Sequence, residues 1–366
     1  MIQLYKKLGE LMNENYNYQN ASEPDYYEIY TKNSIKEATK TFSRFSLALF
    51  VYLIVVYAVI FAAEAMMLFA LGKEKFTELL TTNAIFTHLF NSIPQYLIAF
   101  PILYLMVKGM KTKYREKTNM CASEFFSLFL ISQTAMFAGN LIGEAFNGFF
   151  SVFKGSEVTD PVGELIASSP IWLLFITVVI IGPIFEELIF RKLMIDRLSR
   201  YGELVAVMAS SIAFGLFHGN FYQFFYAVML GLILGYMYAK TRNIKYSIIM
   251  HMLINFFGSI LSIPIAESAE KLFPQLENIQ NGIEVNMADF LKNAMLVGSY
   301  SIIQYATIIA GVVLFVKSLK RGKFRIKSTY EYKIPSERVA SIAIFNPGTI
   351  LFLVLTVLIF VSNIVM

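Results

Sequence analysis

"SPIWLLFITVVIIGPIFEELIF", residues 169–190, is almost pure hydrocarbon until its last turn, where Glu186 and Glu187 stand side by side and Arg191 follows. A helix of about 20 apolar residues, rising 1.5 Å per residue, crosses a hydrocarbon core of about 30 Å. The stretch therefore reads as a membrane span. Its ionisable residues need a reason, because each costs roughly 2.5–3.5 kcal/mol at the bilayer centre on insertion scales.

The rest of the chain has the same character. It is 56% hydrophobic and only 16% charged, with 34 Phe, 21 Tyr and 17 Met. Globular domains carry about 25% charged residues, so much of this surface faces lipid. Apolar segments near 46–71, 84–107, 122–147, 170–192, 204–219, 221–239, 246–265, 296–316 and 344–366 predict an all-α polytopic membrane protein of eight to nine transmembrane helices. Residues 1–43 are polar and tyrosine-rich and read as a cytoplasmic tail, with an interfacial helix around 34–42. No short apolar stretch follows a basic start, so no cleaved signal peptide is expected. The expected organisation is this tail, then two accessory helices and a basic loop over 44–121. A core over 122–265 follows, then an outside loop and C-terminal helices over 266–366.

Orientation follows from the basic residues. With the N-terminus inside, 26 of the 31 Lys and Arg fall in the tail, counted through Arg44 at the start of the first span, and in segments 108–121, 191–203, 240–245 and 317–338. The exceptions are Lys73, Lys75, Lys154, Lys271 and Lys292. The opposite loops collect Glu157, Asp160, Glu164, Glu267, Glu270, Glu277, Glu284 and Asp289. The formal charge of +5 is thus a signature of topology. Nothing in it points to nucleic acid, and the chain has no phosphate-binding loop or dinucleotide fingerprint. The single cysteine, Cys121, excludes an internal disulfide. Gly139 and Gly143, and Gly231 and Gly235, form small-xxx-small pairs that predict close helix packing within the bundle.

The polar residues inside the middle spans carry the functional information. Of three histidines, His218 lies in "FGLFHGN" and His251 in "HMLINF", with Asn255 four residues later. The i, i+4 spacing puts His251 and Asn255 on one helix face, and does the same for Glu187 and Arg191, which can neutralise each other. Glu186 is rotated by about 100° from Glu187 and is left to seek another partner. His88 reads as a satisfied helix–helix contact, and Glu64 as lying near the outer end of its span or in a packed interface.

Depth supports convergence. If the helix of Glu186 continues to about Leu198 and turns at Gly202, Glu186 lies about 18 Å from its cytoplasmic end and His218 about 21 Å from the start of the next helix. His251 then lies about 10 Å in, and Asn255 about 6 Å deeper. The Gly182–Pro183 step is placed to bend the helix one turn before Glu186.

These residues resemble the CAAX-protease and bacteriocin-processing (CPBP, or Abi) family of intramembrane proteases, which includes the Ras-converting type of prenyl-protein endopeptidase. "EELIFR" is similar to the family's EExxxR motif, "FGLFH" to FxxxH and "HMLIN" to HxxxN, in the family's order, within about 122–265. The resemblance implies an intramembrane endopeptidase with a catalytic cavity open to the cytoplasmic side. Carried over, Glu186 activates water, His218 holds and polarises it, and His251 and Asn255 stabilise the oxyanion. Glu187 and Arg191 brace the site. No cofactor is then needed, and the partners are membrane lipid and a membrane-associated peptide or protein. The protein is expected to be multi-pass in the cell membrane.

Two alternatives differ in chemistry or class. Glu186, His218 and His251 offer three ligands for a catalytic zinc with an open position, although Asn255 suits an oxyanion better than a metal. A non-catalytic scaffold or immunity-type protein would leave the same residues idle.

Overall fold

A computed structural model describes residues 23–324 and 334–365. The first half of the expected tail, residues 1–22, and the stretch 325–333 of the expected inside segment 317–338 lie outside them. The described residues are helical, joined by turns and short loops. In chain order the helices are α1 Glu23–Leu71, α2 Lys73–Thr82, α3 Ala84–Val107, α4 Ala122–Lys154, α5 Pro161–Ser168 and α6 Ile171–Tyr201. Then come α7 Glu203–Phe217, α8 Phe221–Thr241, α9 Ile244–Gln280, α10 Met287–Lys320, α11 Ser336–Ile344 and α12 Pro347–Val365.

Among the described residues, eight helices are long and apolar enough to cross a membrane: all but α2, α5, α7 and α11. The protein is an all-α, multi-pass membrane protein. Three expectations need correction. The span expected at 204–219 is the 15-residue α7, only about 23 Å long. It is bounded by turns on both sides: Gly202 precedes it at φ 135°, and after it Gly219, at φ 71°, reverses the chain and Asn220 caps α8 by accepting the Gln223 N–H at 2.9 Å. The separate interfacial helix expected at 34–42 is continuous with the first span in α1. The outside loop expected at 266–295 is largely helical, because α9 continues past a turn at Leu261–Ser262 to Gln280 and α10 starts at Met287.

The packing explains the small residues. A Cβ on Gly139 would lie 2.5 Å from the Tyr226 Cα, so α4 and α8 touch backbone to backbone. Gly231 lets α8 approach α7 at Ser211 in the same way, with a built Cβ 3.0 Å from its Cα. The main core joins Phe45 and Leu49 of α1 to Leu103 of α3, Phe190 and Ile195 of α6, and Phe214 of α7.

The segment 191–203, placed inside by its basic residues, is buried helix end, because α6 runs on past Leu198 to Tyr201 and the chain turns at Gly202 as the depth argument expects. Its charges are paired there. Arg242 contacts Asp196 at 3.2 Å and Glu203 at 3.3 Å, Arg115 reaches Glu203 at 2.6 Å, and the Tyr238 hydroxyl donates to Asp196 at 2.7 Å. The Lys113 N–H donates to the Asp196 carbonyl at 2.8 Å. These bonds tie the basic loop after α3 to the ends of α6, α7 and α8. The ends can be buried because their ionic groups meet opposite charges.

Candidate active site

Helix α6 does not run with uniform pitch. It carries wide turns over Phe175–Ile181 and Leu188–Ile195 on either side of Gly182–Glu187. In the first, the Gly182 N–H donates five residues back to the Thr177 carbonyl. Pro183 has no N–H to give, which suits it to a place where the ladder changes register. Such wide turns occur often at functional sites. Here they set the direction of Glu186 and Glu187.

Glu187 and Arg191 are both fully buried and pair at 3.1 Å, as their spacing suggests. The guanidinium also lies 4.8 Å from the Phe214 ring centroid and donates to Ser210 Oγ at 3.4 Å. Ser210 in turn donates to the Phe190 carbonyl at 2.8 Å. The brace therefore fastens α6 to α7.

Glu187 has a second partner that spacing along one helix does not reveal. Its Oε1 lies 3.2 Å from His251 Nδ1 on α9. The other ring nitrogen, Nε2, faces Glu186 Oε2 at 3.5 Å. A carboxylate only accepts, so the proton on Nδ1 is directed to Glu187 and the ring is held in place. Nε2 then confronts Glu186 as a lone pair or, in the imidazolium, as a second donor. Either way His251 links the buried carboxylate to the more accessible one; the Glu186 side chain is 26% exposed.

His218 ends α7. Its Nδ1 lies 2.8 Å from the Phe214 carbonyl. A carbonyl accepts, so Nδ1 carries the proton and Nε2 presents a lone pair. Its ring meets Phe214 edge to face at 4.9 Å, and Phe214 also packs against His251 at 5.7 Å. Phe214 thus orders both histidines and Arg191. The charge of Glu186 acts on His218 across the site. Asn255 donates from Nδ2 to the Val178 carbonyl, at 2.9 Å, inside the first wide turn. That bond ties α9 to α6, and the second N–H of the amide is still available.

Glu186, Glu187, Arg191 and His251 therefore form one contiguous group. His218 approaches from α7, and Asn255 sits one helical turn beyond His251 on α9. Among the described residues, no three His, Cys, Asp or Glu side chains gather closely enough to hold a metal ion. His88 stands apart, between Ser169 Oγ at 2.8 Å and Thr177 Oγ1 at 3.1 Å. It is the satisfied contact expected of it.

Two neighbours could not be anticipated. Tyr52 of α1 and Tyr96 of α3 both lie within electrostatic reach of Glu186. Tyr96 stacks on Phe185 at 4.6 Å. Nothing singles them out among 21 tyrosines, because they arrive from helices distant in sequence.

Residues 168–257, which hold all six site residues, match the model of the Rce1-like type II CAAX prenyl endopeptidases. Over 151 residues the chain is 28% identical to "Putative membrane peptidase YdiL" of Bacillus subtilis, covering 41% of this chain and 61% of that protein. It is 29% identical over 134 residues to the membrane-embedded CAAX protease MroQ of Staphylococcus aureus, covering 34% of this chain and 53% of MroQ. Over 125 residues it is 30% identical to the UPF0177 protein YxdF of Lactococcus lactis, covering 67% of that protein. The chain belongs to the CAAX-protease and bacteriocin-processing family. It spans about three fifths of YdiL and about half of MroQ. No solved structure matches it. The family match ends at residue 257, so α1 to α4, most of α5 and α10 to α12 fall outside it, and Tyr52 and Tyr96 with them.

Proposed function

We propose that the protein is an intramembrane endopeptidase in which Glu186 activates water against a peptide bond of a membrane-associated peptide or protein. The observation that carries this reading is the chain Arg191–Glu187–His251–Glu186. It ends in a carboxylate that is partly accessible and lacks a cation of its own. A general base needs such a free carboxylate, held in direction by neighbours that do not neutralise it.

In the proposed reaction Glu186 takes a proton from water, and the oxygen forms a bond to the scissile carbonyl carbon. The His218 Nε2 lone pair accepts the other water O–H and orients it. The tetrahedral oxyanion is stabilised by the second N–H of Asn255 and by His251 Nε2–H, the ring taking its second proton from the newly formed Glu186 carboxyl and giving it back before collapse. Collapse breaks the C–N bond, and the Glu186 carboxyl returns its proton to the leaving nitrogen. Glu187 and Arg191 hold His251 and keep their charges throughout. No serine, cysteine, nucleotide or metal takes part. Zinc held by Glu186, His218 and His251 is the rival chemistry, but that donor set does not gather into a metal-holding group, so no step is routed through it. The site is read as opening to the cytoplasm, with the N-terminus on that side and the chain in the cell membrane.

The test compares small membrane-associated peptides from cells that express the protein or its Glu186→Gln variant. Glutamine keeps the volume and removes the base, so turnover falls by about 10²–10⁴-fold. Fragments should disappear and longer precursors accumulate. Identical peptide profiles would refute the endopeptidase reading and favour a scaffold.

A further inference from the structure

His88 of α3 is buried, and its two ring nitrogens meet different parts of the chain. The Thr177 hydroxyl donates its proton to the Leu173 carbonyl at 2.8 Å, so towards the ring its oxygen can only accept. The proton of His88 is therefore on Nδ1, which donates to Thr177 Oγ1 at 3.1 Å. Nε2 keeps a lone pair and accepts from the Ser169 hydroxyl at 2.8 Å. The second of these bonds ties α3 to the short link before α6. The first reaches into α6 itself.

Thr177 lies inside the wide turn Phe175–Ile181, and its carbonyl is the one that accepts the Gly182 N–H five residues on. The next carbonyl, that of Val178, is held by Asn255 of α9. The turn is thus fastened from two sides, by α9 and by α3. A wide turn adds about one residue to a helical turn, and one residue is about 100° of rotation. If this turn relaxed to ordinary pitch, Glu186 would rotate against Thr177 by that amount. It would then lose its place opposite His251 Nε2, which it faces at 3.5 Å.

Resting on the endopeptidase reading, we propose that His88 is a positioning residue, contributed from outside the family-matched segment, which aims Glu186 by holding Thr177 in the wide turn of α6. It touches neither the substrate nor the attacking water, and its ring keeps one proton throughout. The family match begins at residue 168. The matched segment therefore holds Thr177 and Glu186 but not the ring that fixes the turn, and the accessory helix α3 supplies it.

The experiment uses the full chain in liposomes and a quenched-fluorescent synthetic peptide spanning a Glu186-dependent cleavage site, and it separates the two bonds of the ring. Thr177→Val keeps the shape and removes the acceptor. It should lower kcat by about ten- to a hundredfold, the scale of a misaimed catalytic group, with KM unchanged. Ser169→Ala removes the other bond and should leave kcat unchanged. His88→Ala should be as slow as Thr177→Val, and the double variant no slower, because both lose the same bond. His88→Asn carries an amide N–H near the place of Nδ1 and should retain kcat. In His88→Gln the amide stands near the place of Nε2, meets Ser169 rather than Thr177, and should be as slow as His88→Ala. That last pair decides the matter even if Thr177→Val fails to fold. Equal kcat losses in Ser169→Ala and Thr177→Val would make His88 a mere tie between helices and overturn the assignment. Full kcat in Thr177→Val, a loss confined to KM, equal rates in His88→Asn and His88→Gln, or multiplying losses in the double variant would overturn it too. If Glu186→Gln is inactive while the His88 and Thr177 variants are fully active, only the role of His88 fails. If Glu186→Gln cleaves normally, or no Glu186-dependent site exists, the endopeptidase reading fails and the assignment falls with it.

Discussion

Arg191→Ala tests the brace most directly. The guanidinium is fully buried, 3.1 Å from a carboxylate that is itself fully buried. Removing it strands Glu187 with His251 as its one remaining partner able to carry positive charge. Breaking a buried pair from one side costs about 3–5 kcal/mol. The lost contact with the Phe214 ring adds roughly 0.5–2 kcal/mol. A total near 5 kcal/mol lowers Tm by about 10 °C, at the roughly 2 °C per kcal/mol suited to large domains. The paired variant Glu187→Gln/Arg191→Met leaves no stranded charge and keeps most of the volume, so it should recover most of that loss. Thermal unfolding of the detergent-solubilised protein, followed by loss of the monodisperse species, measures both. The reasoning is refuted if Arg191→Ala melts within a degree of the unaltered protein, or if the double variant melts lower than the single one.

Three further outcomes are expected. Asn255→Ala should slow turnover by about 10²–10³-fold, the scale of one lost oxyanion donor. It should also cost about 1 kcal/mol of stability, because the Val178 carbonyl loses its donor; normal turnover with only lowered stability would reduce Asn255 to a helix tie. In a chain with Cys121 replaced by serine, single cysteines at the exposed positions Lys117 and Glu157 should react with an impermeant thiol reagent from opposite sides of the membrane, Glu157 from outside. Labelling of both from outside would overturn the orientation. Cleavage should survive exhaustive dialysis against a strong chelator, and a stoichiometric metal whose removal abolishes activity and whose return restores it would replace the glutamate mechanism with the zinc one.

The solvent of this protein, its fold class and its family were legible in the residue order. Apolar runs of bilayer length are a local property, and so is the spacing of Glu187 and Arg191, which lie one turn apart on one face. The three motifs are short and sit on separate helices, so each survives as a string without any knowledge of the fold. Whether an apolar run crosses was less legible. The run 204–219 counted as a span, although it is scarcely longer than the 15-residue α7 that forms there, and the turns at Gly202 and Gly219 that bound it depend on backbone angles that hydropathy does not register.

What only the tertiary structure decided is which groups face one another. The sequence allowed Glu187 to be assigned to Arg191 alone, yet its carboxylate also holds His251 from a helix 64 residues away. The basic residues of 191–203 placed that segment inside, but that its two carboxylates, Asp196 and Glu203, meet Arg115 and Arg242 from other parts of the chain is a fact of the bundle. Tyr96 reaches the neighbourhood of Glu186 from α3 with no motif to mark it. Such pairings join residues far apart in sequence, and they depend on helix rotation and on the wide turns of α6. A polar side chain carries the same letters whether its partner is water, a neighbour on its own helix or a group across the bundle. The bundle chooses among these by setting buried charges such as Glu187, Asp196 and Glu203 against opposite ones.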